Sequence, residues 1–336
     1  MMNTKIVYRL GLAGIAIAMA GGFAQAEGVH RLQTGVFCNF CDMRYEDYSR
    51  QELQNMNLNG AYLHGINFSW SNLKYGHFSA SNLSFSHMEW ADFDSADFSK
   101  ASIQNAAMFR SNFRNANLRM ANLSLSNLSR SEMGKANLLT AVLRGADLTD
   151  VRMNEAVLRQ ADLTDAVLQG ARLRDADMQG AFLIRATMTG SDVAGANLTG
   201  AIMRSVVFTS TYIYQANFRK ADLSKANFRD AVIDASNFTG ANLSRADFTG
   251  AELHNVTLLG ANLCKAKLPN GELGTCSAAE LVAVNAELAA ESSNASPPLP
   301  DQTAPQPPAA PPLAPTRPSS PVLSPDRTQR RGASEA

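Results

Sequence analysis

Ala146-Asp147-Leu148-Thr149-Asp150 and Ala196-Asn197-Leu198-Thr199-Gly200 are two units of one five-residue period, and that period decides the architecture. Every fifth residue from Leu53, Leu58, Leu63 and Phe68 to Leu258, Leu263 and Leu268 gives 44 positions, each of them Leu, Phe, Met, Ile or Val. Two residues before each centre stands a small side chain: of the 42 such sites from Ala61 to Ala266, 37 are Ala, Ser or Gly. An α-helix cannot use this period, because five residues advance about 500° and the apolar positions wind around its surface. A continuous strand fails too, since an odd period puts successive centres on opposite faces. Within one unit, however, the small residue and the centre are two apart and share a face. A three-residue extended piece followed by a corner keeps both inward. Repeated, it winds the chain into a coil whose turns stack about 4.8 Å apart. No unit has a core alone; stacking supplies it. Alanine beside each large centre is then a matter of volume in a narrow layer.

These units, with Ala241-Asn242-Leu243-Ser244-Arg245, resemble the A-(D/N)-L-x-x pattern of pentapeptide repeat proteins over about Cys41 to Leu268. The resemblance implies an all-β fold, a right-handed quadrilateral parallel β-helix with four pentapeptides per turn. The repeats then make about eleven turns, or about 50 Å of rod. At 20-residue spacing Phe208, Phe228 and Phe248 fall in consecutive layers of one face and read as a core ladder.

The flanks differ in kind. Lys5 and Arg9, the uncharged run Leu10 to Ala20, and Ala24-Gln25-Ala26 form a secretory signal peptide over 1–26, with cleavage before Glu27. The apolar run is shorter than the roughly 20 residues that span a bilayer. The expected localisation is periplasmic or secreted, with no membrane span after cleavage. Residues 27–50 form an N-terminal cap carrying C-x-x-C, and 51–270 the repeat rod. Residues 271–291 hold the Leu268-Pro269-Asn270-Gly271 exit turn's continuation and a short amphipathic capping helix, marked by the capping box Ser277 to Glu280 ahead of Leu281, Val284 and Leu288. That helix either closes the last layer or docks a second copy, giving a homodimer through the C-terminal end. Residues 292–336 form a Pro/Ala/Ser-rich tail; 12 of the 13 prolines lie between Pro297 and Pro325, and no core is expected there.

In an oxidising compartment the four cysteines are candidates for pairing. Cys38 and Cys41 hold inward phases at one end of the rod, while Cys264 and Cys276 lie at the other. The four therefore cannot share a metal, and a redox C-x-x-C belongs to a βαβ context absent here. Structural disulfides Cys38–Cys41 and Cys264–Cys276 are expected.

Signals of chemistry are few. Gly195 to Gly200 has only the glycine spacing of a P-loop, and no G-x-S-x-G or H-E-x-x-H occurs. His64, His77 and His87 fall on three faces, so no metal and no cofactor are expected. Asp147, Asp162, Asp177 and Asp222 share an outward repeat position and read as turn residues. Two outward columns at 20-residue spacing are partner-binding candidates: Trp70, Trp90, Arg110 and Arg130, with Tyr62, Tyr75 and Phe85 around the same turns, and the basic stripe Arg185, Ser205, Lys225, Arg245 and Lys265. For each, the alternative is an ordinary rod surface, aromatic cover in the first case and an edge protected by charge in the second.

The chain has 336 residues, with 30 Lys+Arg against 30 Asp+Glu, 45% apolar and 18% charged residues. Zero net charge removes the bulk electrostatic case for a nucleic-acid binder. The expected function is a non-catalytic exported scaffold that binds another protein through its surface. A secreted effector using the same rod is one alternative. The other is the DNA mimicry by which some pentapeptide repeat proteins protect topoisomerases; that needs an acidic surface, whereas Gln51 to Asn270 carries 21 Lys+Arg and 19 Asp+Glu, a net of +2. A β-helical hydrolase would need carboxylates or histidines gathered on one face, which the columns do not supply.

Overall fold

The computed structural model describes residues 38–274 and Cys276. The signal segment, the capping helix and the proline-rich tail expected from the sequence lie outside these residues. The chain divides into a unit ending at Ala295 and a second unit, Ser296–Ala336, which is wholly outside them.

The described chain is a coil of parallel β-bridges. Residue i pairs with i+20 from Asp42↔Tyr62 and Asp47↔Asn67 to Asp222↔Asn242 and Asp247↔Lys267, so each turn takes four pentapeptides. A regular unit donates three ladder bonds: the centre and the corner residue two after it donate upward, as Leu53 to Asn72 O at 2.7 Å and Asn55 to Lys74 O at 2.9 Å, and the residue before the centre donates downward, as Asn72 to Gln51 O at 2.9 Å. Bridging starts at Asp42, within the segment assigned to the N-terminal cap, and Met43 and Tyr48 already hold buried centre positions. No helix occurs among the described residues.

Corners follow the centres. The small residue of the next unit donates to the centre carbonyl, as Ala146 to Leu143 O at 3.1 Å, closing a four-residue turn. Its third residue sits at φ near +60°, which favours glycine, yet Trp70 (φ 65), Arg110 (φ 58) and Asp165 (φ 61) all adopt it. The ladder bonds on either side hold them there; Trp70 N–H, for example, reaches Glu89 O at 2.9 Å. The outward Asn or Asp serves the same corner: Asp147 Oδ1 accepts the Thr149 N–H at 3.0 Å and the Thr149 hydroxyl at 2.6 Å.

The core is one continuous column. Of the centres, Leu53 to Ile233 are at most 1% exposed. The expected phenylalanine ladder is present, with Phe208 and Phe228 stacked at 5.2 Å and Phe228 and Phe248 at 4.8 Å. Two further stacks near the other end, in neighbouring columns, pair Phe78 with Phe98 and Phe93 with Phe113. Large centres there are matched by smaller partners: a Cβ on Gly76 would sit 2.6 Å from the Phe78 ring.

Three extended strands interrupt the short bridges on one face: β1 Tyr212–Tyr214, β2 Val232–Asp234 and β3 Glu252–His254, paired parallel in that order. At the exit, Gly271 N–H bonds Leu268 O at 2.9 Å, and the chain reverses so that Lys267 faces Leu273 in an antiparallel bridge. Lys265 N–H then donates to Gly274 O at 2.9 Å. This reversal covers part of the last open edge, which a parallel coil cannot do for itself. Both expected disulfides form, Cys38–Cys41 with Cα atoms 5.5 Å apart and Cys264–Cys276 at 4.3 Å, one at each end.

Candidate functional site

The tryptophan column is a built stack. Trp70 and Trp90 lie at corners one turn apart, both at positive φ, which aims their side chains outward along the same edge. Their rings are stacked at 4.7 Å and inclined by 8°. The Arg110 guanidinium covers Trp90 at 4.7 Å from the ring centre, and Phe109 meets the same indole edge-on at 6.1 Å. Arg130 lies 6.0 Å above Phe109 and pairs with Asp150 at 3.3 Å, so the fourth member is tied to the next layer. Neither indole N–H has a hydrogen-bond partner among the described residues. Trp70 remains 41% exposed, and it has no ring or cation against its other face among the described residues.

Beside the stack runs a shallow groove of about 470 Å³, lined by Asn67, Ser69, His87, Glu89 and Phe109 together with the two indoles. Glu89 accepts the Ser69 hydroxyl at 2.8 Å and approaches His87 Nδ1 at 3.6 Å. Phe109 and Glu89 had no signal of their own in the repeat; they emerge only when the columns flanking the tryptophans are laid side by side.

Exposed aromatics gather in these first turns. Tyr62, Tyr75 and Phe85 are all exposed, as the sequence suggested, and Phe40 and Tyr45 join them. His64 is a rung of this set, meeting Tyr45 and Phe85 at 5.3 Å each. His77 and His87 lie on separate ladders, His77 between Asn57 and Asp97 and His87 between Asn67 and Ala107.

The basic stripe is shorter than its sequence. Arg185 is bound by Asp165 one turn below, through bonds of 2.7 and 2.6 Å, and its guanidinium holds the Asp165 carboxyl below its ordinary value. Ser205 interrupts the charge. Lys225, Arg245 and Lys265 remain as an exposed run in three successive layers. Carboxylates nearby are already engaged, Asp222 with Arg204 at 2.5 Å and Asp247 with Lys267 at 3.3 Å. Burial pushes both carboxyls up, but hydrogen bonds and these cations outweigh it and leave each below its ordinary value.

A coil of bridges at 20-residue intervals, with a small residue and a large one inward in every unit, defines a repeat protein of the parallel β-helix class. The family model for pentapeptide repeats matches in eight copies across 77–108, 108–138, 141–180, 166–204, 201–240, 211–250 and 233–270, and the chain belongs to the pentapeptide repeat family. No curated protein sequence matches it. Among solved structures it is similar to HetL, a pentapeptide repeat protein involved in heterocyst differentiation regulation in the cyanobacterium Nostoc, at 25% identity over 72% of this chain and 94% of that one, with a TM-score of 0.39. A pentapeptide repeat protein of the Arabidopsis thaliana thylakoid lumen is 33% identical over 28% of this chain and 63% of its own, with a TM-score of 0.22. Full-length QnrB1, a plasmid-mediated fluoroquinolone resistance protein, is 16% identical over 66% of this chain and 92% of its own, with a TM-score of 0.23.

Proposed function

We propose that this chain is exported to the periplasm or beyond the cell and acts there, without catalysis, as a rigid scaffold that binds another protein. In this reading the coil is right-handed and four-sided, and the two disulfides fit an oxidising compartment. The observation that carries it is the Trp70–Trp90–Arg110 stack. Tryptophan and arginine are the side chains that most often anchor protein interfaces, and the stack holds them rigid before a partner arrives. Its two indole N–H donors have no internal use, whereas outward Asn, Asp and Arg side chains elsewhere on the rod largely bond within it.

Stacking also steadies the corner, by about 0.5–1.5 kcal/mol for an aromatic pair. The two roles separate experimentally. Trp70→Ala with Trp90→Ala is expected to abolish capture of the partner from a gently cross-linked periplasmic or secreted fraction, with the melting temperature nearly intact. A folded double variant that retains the same partner sinks the binding reading, as does the absence of any captured protein. Mass spectrometry of the N-terminus of a tagged chain tests export; a start at Met1 in the cytosol overturns it.

A further inference from the structure

Charge is arranged differently at one corner from the rest of the rod. At three other places a charged corner residue meets its opposite one turn on, Arg130 with Asp150, Lys135 with Glu155 and Asp165 with Arg185, at 3.3, 3.5 and 2.6 Å, and where Arg110 precedes Arg130 the first covers the Trp90 ring and the second pairs with Asp150. At Lys225, Arg245 and Lys265 three cations follow one another instead, and none makes an ion pair or side-chain hydrogen bond among the described residues. Layers about 4.8 Å apart put their backbones at a spacing where like charges repel by about 1 kcal/mol even in water. Splaying of the long side chains relieves part of this; an anion lying along the corner relieves all of it.

The setting is one-sided and firm. Of the carboxylates in these layers, Asp222 and Asp247 flank the corner but are held by Arg204 and Lys267, Asp230 stands at the next corner along the chain, and Asp234 and Glu252 sit on the β2–β3 face. Lys225 N–H bonds Ser244 O at 2.9 Å, Arg245 N–H bonds Cys264 O at 3.0 Å, and Lys265 N–H bonds Gly274 O in the reversed exit segment at 2.9 Å. Cys264, next to Lys265, is disulfide-bonded to Cys276, so the last step of the corner is covalently pinned. Ser244 places a hydroxyl immediately before Arg245, whereas that of Ser224 serves the Asp222 carboxylate.

We infer that this corner binds a soluble linear polymer of phosphate groups laid along the rod axis. A tetrahedral phosphate offers oxygens to cations from two adjacent layers and to the intervening hydroxyl at once, while a carboxylate is matched by the fork of a single arginine. Three layers span about 10 Å, room for a run of phosphates and too little for a folded acidic face. The inference is independent of the tryptophan stack, which lies on another corner and toward the other end.

The test uses the full chain and a labelled inorganic polyphosphate, followed by fluorescence anisotropy across a salt series. Lys225→Ala, Arg245→Ala and Lys265→Ala together are expected to weaken binding at least 30-fold and to flatten the log–log salt slope by about 2, at roughly 0.7 per contact. Arg185→Ala, whose charge Asp165 already occupies, should change affinity less than twofold. Cys264→Ser with Cys276→Ser should weaken binding several-fold, and Cys38→Ser with Cys41→Ser should leave it unchanged. Because the substitutions remove repulsion, the triple variant should melt at the same temperature as the parent, or higher at low salt. The inference is overturned if the triple variant binds as the parent does, if it melts markedly lower, if polyglutamate of equal charge binds as tightly, or if only anionic vesicles bind. Trp70→Ala with Trp90→Ala should bind polyphosphate normally, so failure of the scaffold reading and failure of this one are distinguishable.

Discussion

Between residues 141 and 201 every corner closes, each small residue donating its N–H to the preceding centre carbonyl, as Ala161 does to Leu158 O at 3.0 Å. Along β1–β3 that closure is missing. Ala216 N–H turns to Ser236 Oγ at 3.1 Å in the next layer, and neither Ser236 nor Val256 closes its own corner among the described residues. The ladder runs on unchanged through both regions, with Gln215 N–H on Asp234 O at 3.0 Å and φ of 52° retained at Gln215. The contrast teaches that the coil is held by bonds between turns and by its packed axis, and that the corner bond is a local convenience. An extended strand displaces it in the β-rich runs Thr211-Tyr212-Ile213-Tyr214 and Val232-Ile233, and a serine can replace it without one, as where Gln51 N–H turns to Ser71 Oγ at 3.1 Å.

The sharpest way to break the regular region is through its axis. Leu163 is 1% exposed, and Leu163→Asp is expected to leave an unpaired charge there, costing at least about 3–5 kcal/mol and unfolding the neighbouring turns, as seen by circular dichroism during urea titration. Next comes volume. Gly76→Ala puts a methyl 2.6 Å from Phe78 and 2.9 Å from Leu73 O and should cost about 1–3 kcal/mol, whereas at Gly134 the nearest atom is 3.7 Å away and alanine should be neutral or stabilise by up to about 1 kcal/mol. Equal effects at the two glycines would mean that the layers yield to added volume.

A gentler probe addresses the open corners directly. Ser236→Ala removes the acceptor that replaces the corner bond, leaving the Ala216 N–H buried without a partner, and should cost about 1–2 kcal/mol. Ser131 donates its hydroxyl to Leu128 O, an oxygen that also takes the Ser131 N–H, so Ser131→Ala should cost less than about 1 kcal/mol. If the two variants melt alike, Ser236 is not what holds the open corner.

The smallest effect is a pH dependence. Burial raises the Asp247 carboxyl, but Thr249 and Lys267 together hold it below its ordinary value of 3.8. A carboxyl depressed in the folded state stabilises fully above its unfolded pKa and loses that contribution as pH falls through the folded one. Asp247→Asn should therefore reduce stability at neutral pH by less than about 1 kcal/mol and flatten its decline below about pH 4. An unaltered acid slope in urea titrations would show that the group carries no linkage.

The axis of this molecule was legible in its sequence, because a phase kept from Leu53 to Leu268 admits one inward pair per unit. Residue columns followed from the 20-residue turn, and with them the stack of Trp70 on Trp90. What escaped has two causes. The open corners at Gln215, Ala235 and Asn255 leave the phase intact, so the period is blind to them; only the β-forming run beginning at Thr211 marked the place. The Arg185–Asp165 pair lay in plain view as opposite charges 20 residues apart, but following the cations alone passed over it. The Leu268 to Gly271 turn was recognisable, while the antiparallel reversal onto Lys267 depends on which edge remains unpaired, a property of the assembled coil.

The ladder from i to i+20 has a consequence for how such a rod can change by duplication. Copying 20 residues in place lengthens the coil by one layer and leaves every outward column aligned as before. Copying five residues preserves the inward phase equally well, yet rotates everything downstream by one side relative to everything upstream. The tryptophan corner and the lysine–arginine corner would then face each other differently, while the core stayed fully packed. Reach and bearing are thus separately adjustable, and two small insertions that look alike in a gene would leave the interior the same while remaking the surface presented to the outside.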